Sequence, residues 1–269
     1  MVADCIANAK IAVAMLAALT RAVSPTLESC ELTWVPREKI DIAKAVEQHH
    51  RYEQCLRELG LRVISLAAEP DLPDATFVED PLVVVDELAI VTRMGALSRR
   101  GESESLAAAI APYRPVRRIR EPATLEGGDV MRIGRDVFVG LTTRSNEAGI
   151  AQLRADLEPL GYRVLPVRVH GCLHLKSACC SLGDRKILAN AKWFDPPPLL
   201  EYTIINVAVD EPGAANVLRI GDTLLMPSCF PHTEEILRQE GFKIRTVDIS
   251  ELMKAEAAIT CSSVIFEIV

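Results

Sequence analysis

The strongest constraint in this chain is a repeat. Four times an apolar strand runs into a tight polar turn and out into a second apolar strand. The first runs from Leu82 to Val85, turns at Asp86-Glu87 and continues from Leu88 to Val91. The second is Val130 to Ile133, Gly134-Arg135-Asp136, then Val137 to Val139. The third is Cys179 to Leu182, Gly183-Asp184-Arg185, then Ile187 to Ala189, and the fourth Val217 to Ile220, Gly221-Asp222, then Leu224 to Met226. The turns fall near positions 86, 135, 184 and 222, the first three 49 residues apart. Gly and Asp suit the unusual backbone angles of such turns.

Between hairpins a second pattern recurs: a helical run, a glycine and a short apolar strand. It appears in Leu56 to Ile64, Leu157 to Leu165 and Ile236 to Ile244, and more loosely from Leu106 through Ile119. Gly60, Gly161 and Gly241 sit where a left-handed residue ends a helix cheaply. Ser263 to Ile268 and Ala17 to Arg21 read as the two halves of a fifth hairpin, split between the ends of the chain; pairing them removes an exposed edge. The expectation is an α/β fold, a closed ring of five ββαβ-like units with five-fold pseudosymmetry. One unit is degenerate, with Asp195-Pro196-Pro197-Pro198 in place of most of its helix. A helix over Asp41 to Leu59 places Ile42, Ala45, Val46, His49, Tyr52, Cys55, Leu56 and Leu59 on one face, and His49 and His50 are both read as lying at its surface. Ser145 is expected to cap a helix that turns Ile150, Leu153, Leu157 and Leu160 inward. His49, His50 and His232 are read as structural.

The 269 residues show no interdomain linker and are read as one catalytic domain, residues 1–14 forming an N-terminal extension. At 49% hydrophobic and 25% charged, the chain can bury a substantial core. Its net charge is −7 and its basic residues are scattered, which argues against a nucleic-acid partner and favours a cationic one. No apolar run reaches the length of a membrane-spanning helix. The stretch Lys10 to Leu19 resembles a signal-peptide core, but Asp4 and the lack of a basic run before Lys10 oppose that reading; an Ala-rich extension leading into a buried strand is expected. Eight irregularly spaced cysteines in a chain this long point to reduced thiols and a cytoplasmic protein.

Five short stretches carry chemistry: Phe77 to Asp80, Ser98 to Arg100, Leu125 to Asp129, Leu173 to Ser177 and Thr260 to Ser263. Asp74, Glu79 and Asp80 lie just ahead of the first hairpin, Glu126 ahead of the second and His174 ahead of the third. In a ring, equivalent positions converge on the axis. Cys261 precedes the last strand, so its thiol can face the same centre; the ordinary alternative is an inert buried cysteine. Gly127-Gly128 lets the backbone approach a ligand closely. His174 suits acid–base work near neutral pH. Buried carboxylates need a cationic partner, and a guanidinium is one. Arg99 and Arg144 follow outgoing strands, either as surface ion pairs or as bidentate holders of an α-carboxylate. Cys172, His174, Cys179 and Cys180 do not match common zinc spacings, and Cys179 and Cys180 would face opposite ways on a strand. No metal and no cofactor are expected.

Taken together, Leu72 to Asp80, Ile90 to Arg93 with Ser98 to Arg100, Ala123 to Val130, Leu173 to Ser177 and Thr260 to Ser262 resemble the dimethylarginine dimethylaminohydrolases of the guanidino-group-modifying (pentein) superfamily. The resemblance runs from about Thr20 to the C-terminus and covers Ala191 to Pro198 poorly. It implies a five-bladed α/β propeller and a hydrolase that converts Nω-methylated arginines to citrulline through a covalent thiouronium. It implies Cys261 as nucleophile, His174 as acid–base group and Glu126 as its orienting carboxylate. Asp80 would hold the guanidinium, with Glu79 nearby. Asp74 and a backbone group at Leu32 would meet the α-amino group, and Arg99 and Arg144 the α-carboxylate. The partner implied is a small cationic amino acid, with a homodimer left open. The rivals are an arginine deiminase-like hydrolase, a non-catalytic binding protein on the same ring, and a metal-binding protein built on Cys172 and its neighbours.

Overall fold

Each hairpin read from the sequence gains a third strand. The computed structural model describes residues 15–268. Its elements begin with β1 (Met15–Arg21), α1 (Ile42–Glu58) and β2 (Arg62–Leu66). There follow β3 (Leu82–Val84), β4 (Ala89–Val91), α2 (Ser103–Ile110) and β5 (Val116–Arg118), then β6 (Val130–Ile133), β7 (Asp136–Leu141), α3 (Glu147–Leu157) and β8 (Arg163–Arg168). A single helical turn, α4 (Leu175–Ala178), leads into β9 (Cys179–Gly183), β10 (Lys186–Ala189) and β11 (Thr203–Asn206). Then come β12 (Leu218–Ile220), β13 (Thr223–Pro227), α5 (Pro231–Gln239), β14 (Lys243–Val247), α6 (Ser250–Met253) and β15 (Val264–Ile268).

Every sheet repeats one arrangement. A central strand runs antiparallel to its hairpin partner and parallel to the strand that follows the crossover, giving β3-β4-β5, β6-β7-β8, β9-β10-β11 and β12-β13-β14. The fifth sheet joins the two ends of the chain. β1 is antiparallel to β15, with Met15 opposite Ile268 and Leu19 opposite Val264, and parallel to β2. The strands β3, β6, β9, β12 and β15 all contribute side chains to one axial cavity of about 330 Å³. This is the five-bladed ring that the repeat predicts. Between the blades and their helices the apolar residues form five buried clusters.

Local rules account for the elements. Asp41 caps α1, its carboxylate accepting the N–H of Lys44 at 3.1 Å, and the stripe Ala45, Tyr52, Cys55 and Leu56 is buried. Gly60, Gly161 and Gly241 take φ of 91°, 83° and 89°, as their places after helical turns require. α3 is capped one residue later than expected. Asn146, not Ser145, accepts the N–H of Gly149, at 2.8 Å, which frees Ser145 to turn inward. Between β10 and β11 only the short turn Pro197–Leu199 stands where other blades have a helix. Ala17, Ala18 and Leu19 are buried in the central strand β1, so this part of the apolar run is core. The proposed extension, residues 1–14, lies outside the described residues. Among the described residues no helix is long and apolar enough to cross a membrane, and the seven cysteines are unpaired. Cys179 and Cys180 enter different clusters, one on each face of β9.

The seam between β1 and β15 is an antiparallel strand pair backed by an apolar cluster that joins Ala17 and Leu19 to Val264, Phe266 and Ile268. Phe266 is 5% exposed and its ring lies 5.4 Å from that of Tyr113. Phe266→Ala is expected to lower the free energy of unfolding by about 3–5 kcal/mol in urea titrations. A loss under about 1 kcal/mol would show that this contact does not hold the seam.

Candidate active site

Three hairpin mouths and the Cys261 loop meet at one end of the ring. Asp74, Asp80, Arg99, Arg144, His174 and Cys261 line a common pocket of about 20 Å³. That volume holds about one water molecule, so an amino acid enters only if the walls move. The segment around Thr33 is fastened there. The N–H groups of Thr33 and Trp34 donate to the Glu256 carboxylate at 2.7 and 2.8 Å, and Arg144 donates to the Thr33 hydroxyl at 2.7 Å. Half-buried Leu32, the expected backbone contact, lies between Thr33 and Glu31, whose N–H donates to Asp74 at 3.0 Å.

His174 is 4% exposed and stands between two carboxylates. Its Nε2 lies 2.8 Å from Glu126 Oε2, and its Nδ1 lies 3.8 Å from Asp80 Oδ1. Burial alone would favour the neutral ring, but Asp80, Asp129 and Glu126 outweigh it and push the imidazole up to about 9. Glu126 is fully buried, and its other oxygen accepts the N–H of Gly95 at 2.9 Å. Despite burial, the hydrogen bond and charge of His174 hold its carboxyl below the usual range. The backbone permits this packing only because residue 128 is glycine. A Cβ there would stand 2.5 Å from His174 Nδ1 and 2.7 Å from Asp80 Oδ1.

Arg99 is buried and heavily committed. It donates two parallel bonds to Glu102, at 3.0 and 2.9 Å, and one to Asp80 at 2.8 Å. The fork expected to grip an α-carboxylate is therefore engaged by Glu102. Arg144 Nη1 is buried without a hydrogen-bond partner, 3.6 Å from Glu126, and is the freer donor. Glu79 lies behind the pocket instead of in its wall. It pairs with Lys176, accepts the Thr260 hydroxyl at 2.7 Å, and its N–H donates to the Cys261 carbonyl at 3.2 Å. Asn216 completes this support, bonding Thr260 through both its amide nitrogen and its oxygen at 3.0 Å. The Cys261 sulfur accepts the N–H of Ala258 at 3.3 Å. Burial, reinforced by the charges of Glu79 and Asp80, holds its thiol well above the usual range.

Sequence reasoning assigned no role to Glu102, Lys176, Asn216 or Glu256, and gave Ser145 only the helix cap that Asn146 provides. Glu102 carries a signal, three residues after Arg99 in a helical turn. Lys176 lies inside a quoted motif. Asn216 and Glu256 act across long sequence separations and leave no local trace. Cys172, Cys179 and Cys180 are buried in apolar clusters. Among the described residues the convergent set of metal-type donors is instead Asp80, Glu126 and His174, within 4.8 Å of one another. Asp80 is already bound to Arg99 and the Gly128 N–H, and Glu126 and His174 are bound to each other.

The comparisons with known proteins agree with this geometry. Residues 29–193 match the family model described as N,N dimethylarginine dimethylhydrolase, eukaryotic. A protein of Streptomyces coelicolor named N(G),N(G)-dimethylarginine dimethylaminohydrolase is 41% identical over 92% of this chain and 95% of its own length. The chain belongs to the dimethylarginine dimethylaminohydrolase family. Its relative of the same name from Pseudomonas aeruginosa is 35% identical over 85% of this chain and 91% of its own. A solved structure of the Pseudomonas aeruginosa enzyme, a cysteine-to-serine mutant complexed with citrulline, superposes with a TM-score of 0.89 at 33% identity, covering 94% of this chain and 100% of that one. The family's pentein ring is the fold found here.

Two results are expected of this geometry. The His174 imidazole, followed by NMR, should titrate near pH 9, and a midpoint at the ordinary 6.5 would contradict the carboxylate surround. Gly128→Ala should displace the ring and lower kcat by about 100-fold or more while the protein stays folded. Unchanged turnover would show that the close approach is dispensable.

Proposed function

We propose that this chain hydrolyses asymmetric dimethylarginine and monomethylarginine to citrulline, releasing dimethylamine or methylamine. The observation that carries the reading is the pocket shared by the Cys261 thiol, the His174 imidazole and buried acids, on the fold of a relative that binds citrulline. Asp80 holds the guanidinium, Asp74 and the backbone near Leu32 meet the α-amino group, and Arg144 and Arg99 attract the α-carboxylate. Glu79 supports the nucleophile loop from behind.

On this reading the empty site holds a neutral thiol beside a charged imidazole. A bound guanidinium adds positive charge and lowers the thiol pKa, and the thiol proton passes to bulk water because the imidazole already carries its own. The Cys261 thiolate then forms a bond to the guanidinium carbon. As the C–N bond breaks, His174 gives its Nδ1 proton to the departing amine, leaving an S-alkylthiouronium and a neutral ring. Water attacks that carbon while His174 takes its proton. The C–S bond breaks as the new hydroxyl's proton passes to the sulfur, citrulline leaves, and the enzyme returns to its thiol and imidazolium. Glu126 keeps the ring oriented throughout. The seven unpaired cysteines among the described residues suit a reducing, cytoplasmic setting.

Product analysis with arginine, monomethylarginine and dimethylarginine tests the reading. Dimethylarginine should yield citrulline and dimethylamine, and Cys261→Ser should lose turnover. Faster ammonia release from arginine would favour a deiminase, and a fully active serine variant would remove the assignment. The resting thiol gives a second test. Inactivation of the free enzyme by iodoacetamide should keep climbing with pH beyond 9, the ordinary thiol value, because Cys261 lies above it. A plateau already reached at neutral pH would mean a preformed thiolate.

A further inference from the structure

Behind the His174–Glu126 pair stands a third carboxylate. Asp129 has no exposed surface. Its Oδ1 accepts the backbone N–H of Leu175, the residue after His174, at 2.9 Å. Its Oδ2 accepts the hydroxyls of Ser145 at 2.6 Å and Thr142 at 2.7 Å. Ser145 Oγ in turn accepts the N–H of Glu126 at 3.0 Å. Asp129 thus grips the chain at His174 directly and the chain at Glu126 through one hydroxyl. Room for it is made across the sheet at Gly140, where a Cβ would lie 2.4 Å from Asp129 Oδ1.

We infer that Asp129 is a positioning residue for the proposed hydrolysis, fixing His174 and Glu126 relative to each other and keeping the imidazole protonated through its charge. The inference rests on the hydrolase reading of the site. Three donors and no acceptor face Asp129, which matches its ionised form. Burial pushes its carboxyl up to about 6, with His174 the main charge opposing that shift. The other titratable group it influences is Cys172, whose thiol it helps to raise. His174 itself faces Asp80, Glu126 and Asp129, and Asp80 also meets Arg99 and Lys176.

The test is Asp129→Asn, which keeps the shape and the acceptor for Leu175 but removes the charge. The expected result is a kcat reduced by about 10- to 100-fold with KM nearly unchanged. The His174 midpoint, read by NMR, should fall by about one pH unit, and the alkaline limb of the kcat profile should move with it. Ser145→Ala removes the arm to Glu126 and one of the three donors to Asp129 but leaves the carboxylate in place; it should lower kcat and move the His174 midpoint less than Asp129→Asn does. An Asp129→Asn enzyme with its His174 midpoint unmoved would overturn the inference. Should that variant fail to fold, a Ser145→Ala enzyme with unchanged kcat would overturn it instead. Cys261→Ser separates the levels: if it removes turnover, the hydrolase reading stands whichever way the Asp129 result falls.

Discussion

The site depends on an imbalance of buried charge. Asp74, Glu79, Asp80, Glu102, Glu126 and Asp129 are all buried, while the cations near them are Arg99, Arg144, Lys176 and protonated His174. Charges withdrawn from water need partners. Glu102 and Asp80 share Arg99, Glu79 has Lys176, and Glu126 has His174. Asp74 accepts a backbone N–H and is raised by burial. A guanidinium entering this site reduces the excess of negative charge. On the proposed reaction it leaves as a neutral ureido group, so the chemistry removes the attraction that drew the substrate in.

The ring is what lets so many acids approach one another. No single blade could hold them, because each supplies only one short mouth segment. Asp80 comes from the mouth before β3, Glu126 from the one before β6 and His174 from the one before β9. Gly127 and Gly128 let the mouth before β6 pack directly against Glu79, Asp80 and His174 from its two neighbours, and the buried clusters between blades keep them there.

The architecture was legible because its signals are local and repeat. Alternating apolar strands, polar turns and helix-ending glycines recur along the chain, and the hairpins lie within a residue or two of where they were read. The convergence of Asp80, Glu126, His174 and Cys261 followed from equivalent positions in a ring. What could not be read was commitment. The sequence shows that Arg99 exists, not that Glu102 already occupies its fork. Ser145 looked like a helix cap because serine at that place usually is one, but Asn146 beside it does the capping. The roles of Asn216 and Glu256 depend on partners 44 and more than 200 residues away in the chain.

The order of the last elements has a further consequence. Cys261 lies immediately before β15, the strand that zips against β1 to complete the circle. The carbonyl of Cys261 is held by Glu79, and its neighbour Thr260 by Glu79 and Asn216, partners supplied by other blades. Until the final strand docks, the thiol has none of these neighbours and no imidazole opposite it. Closing the ring and assembling the site are therefore one event: the strand that completes the fold is the one that carries Cys261 to its neighbours.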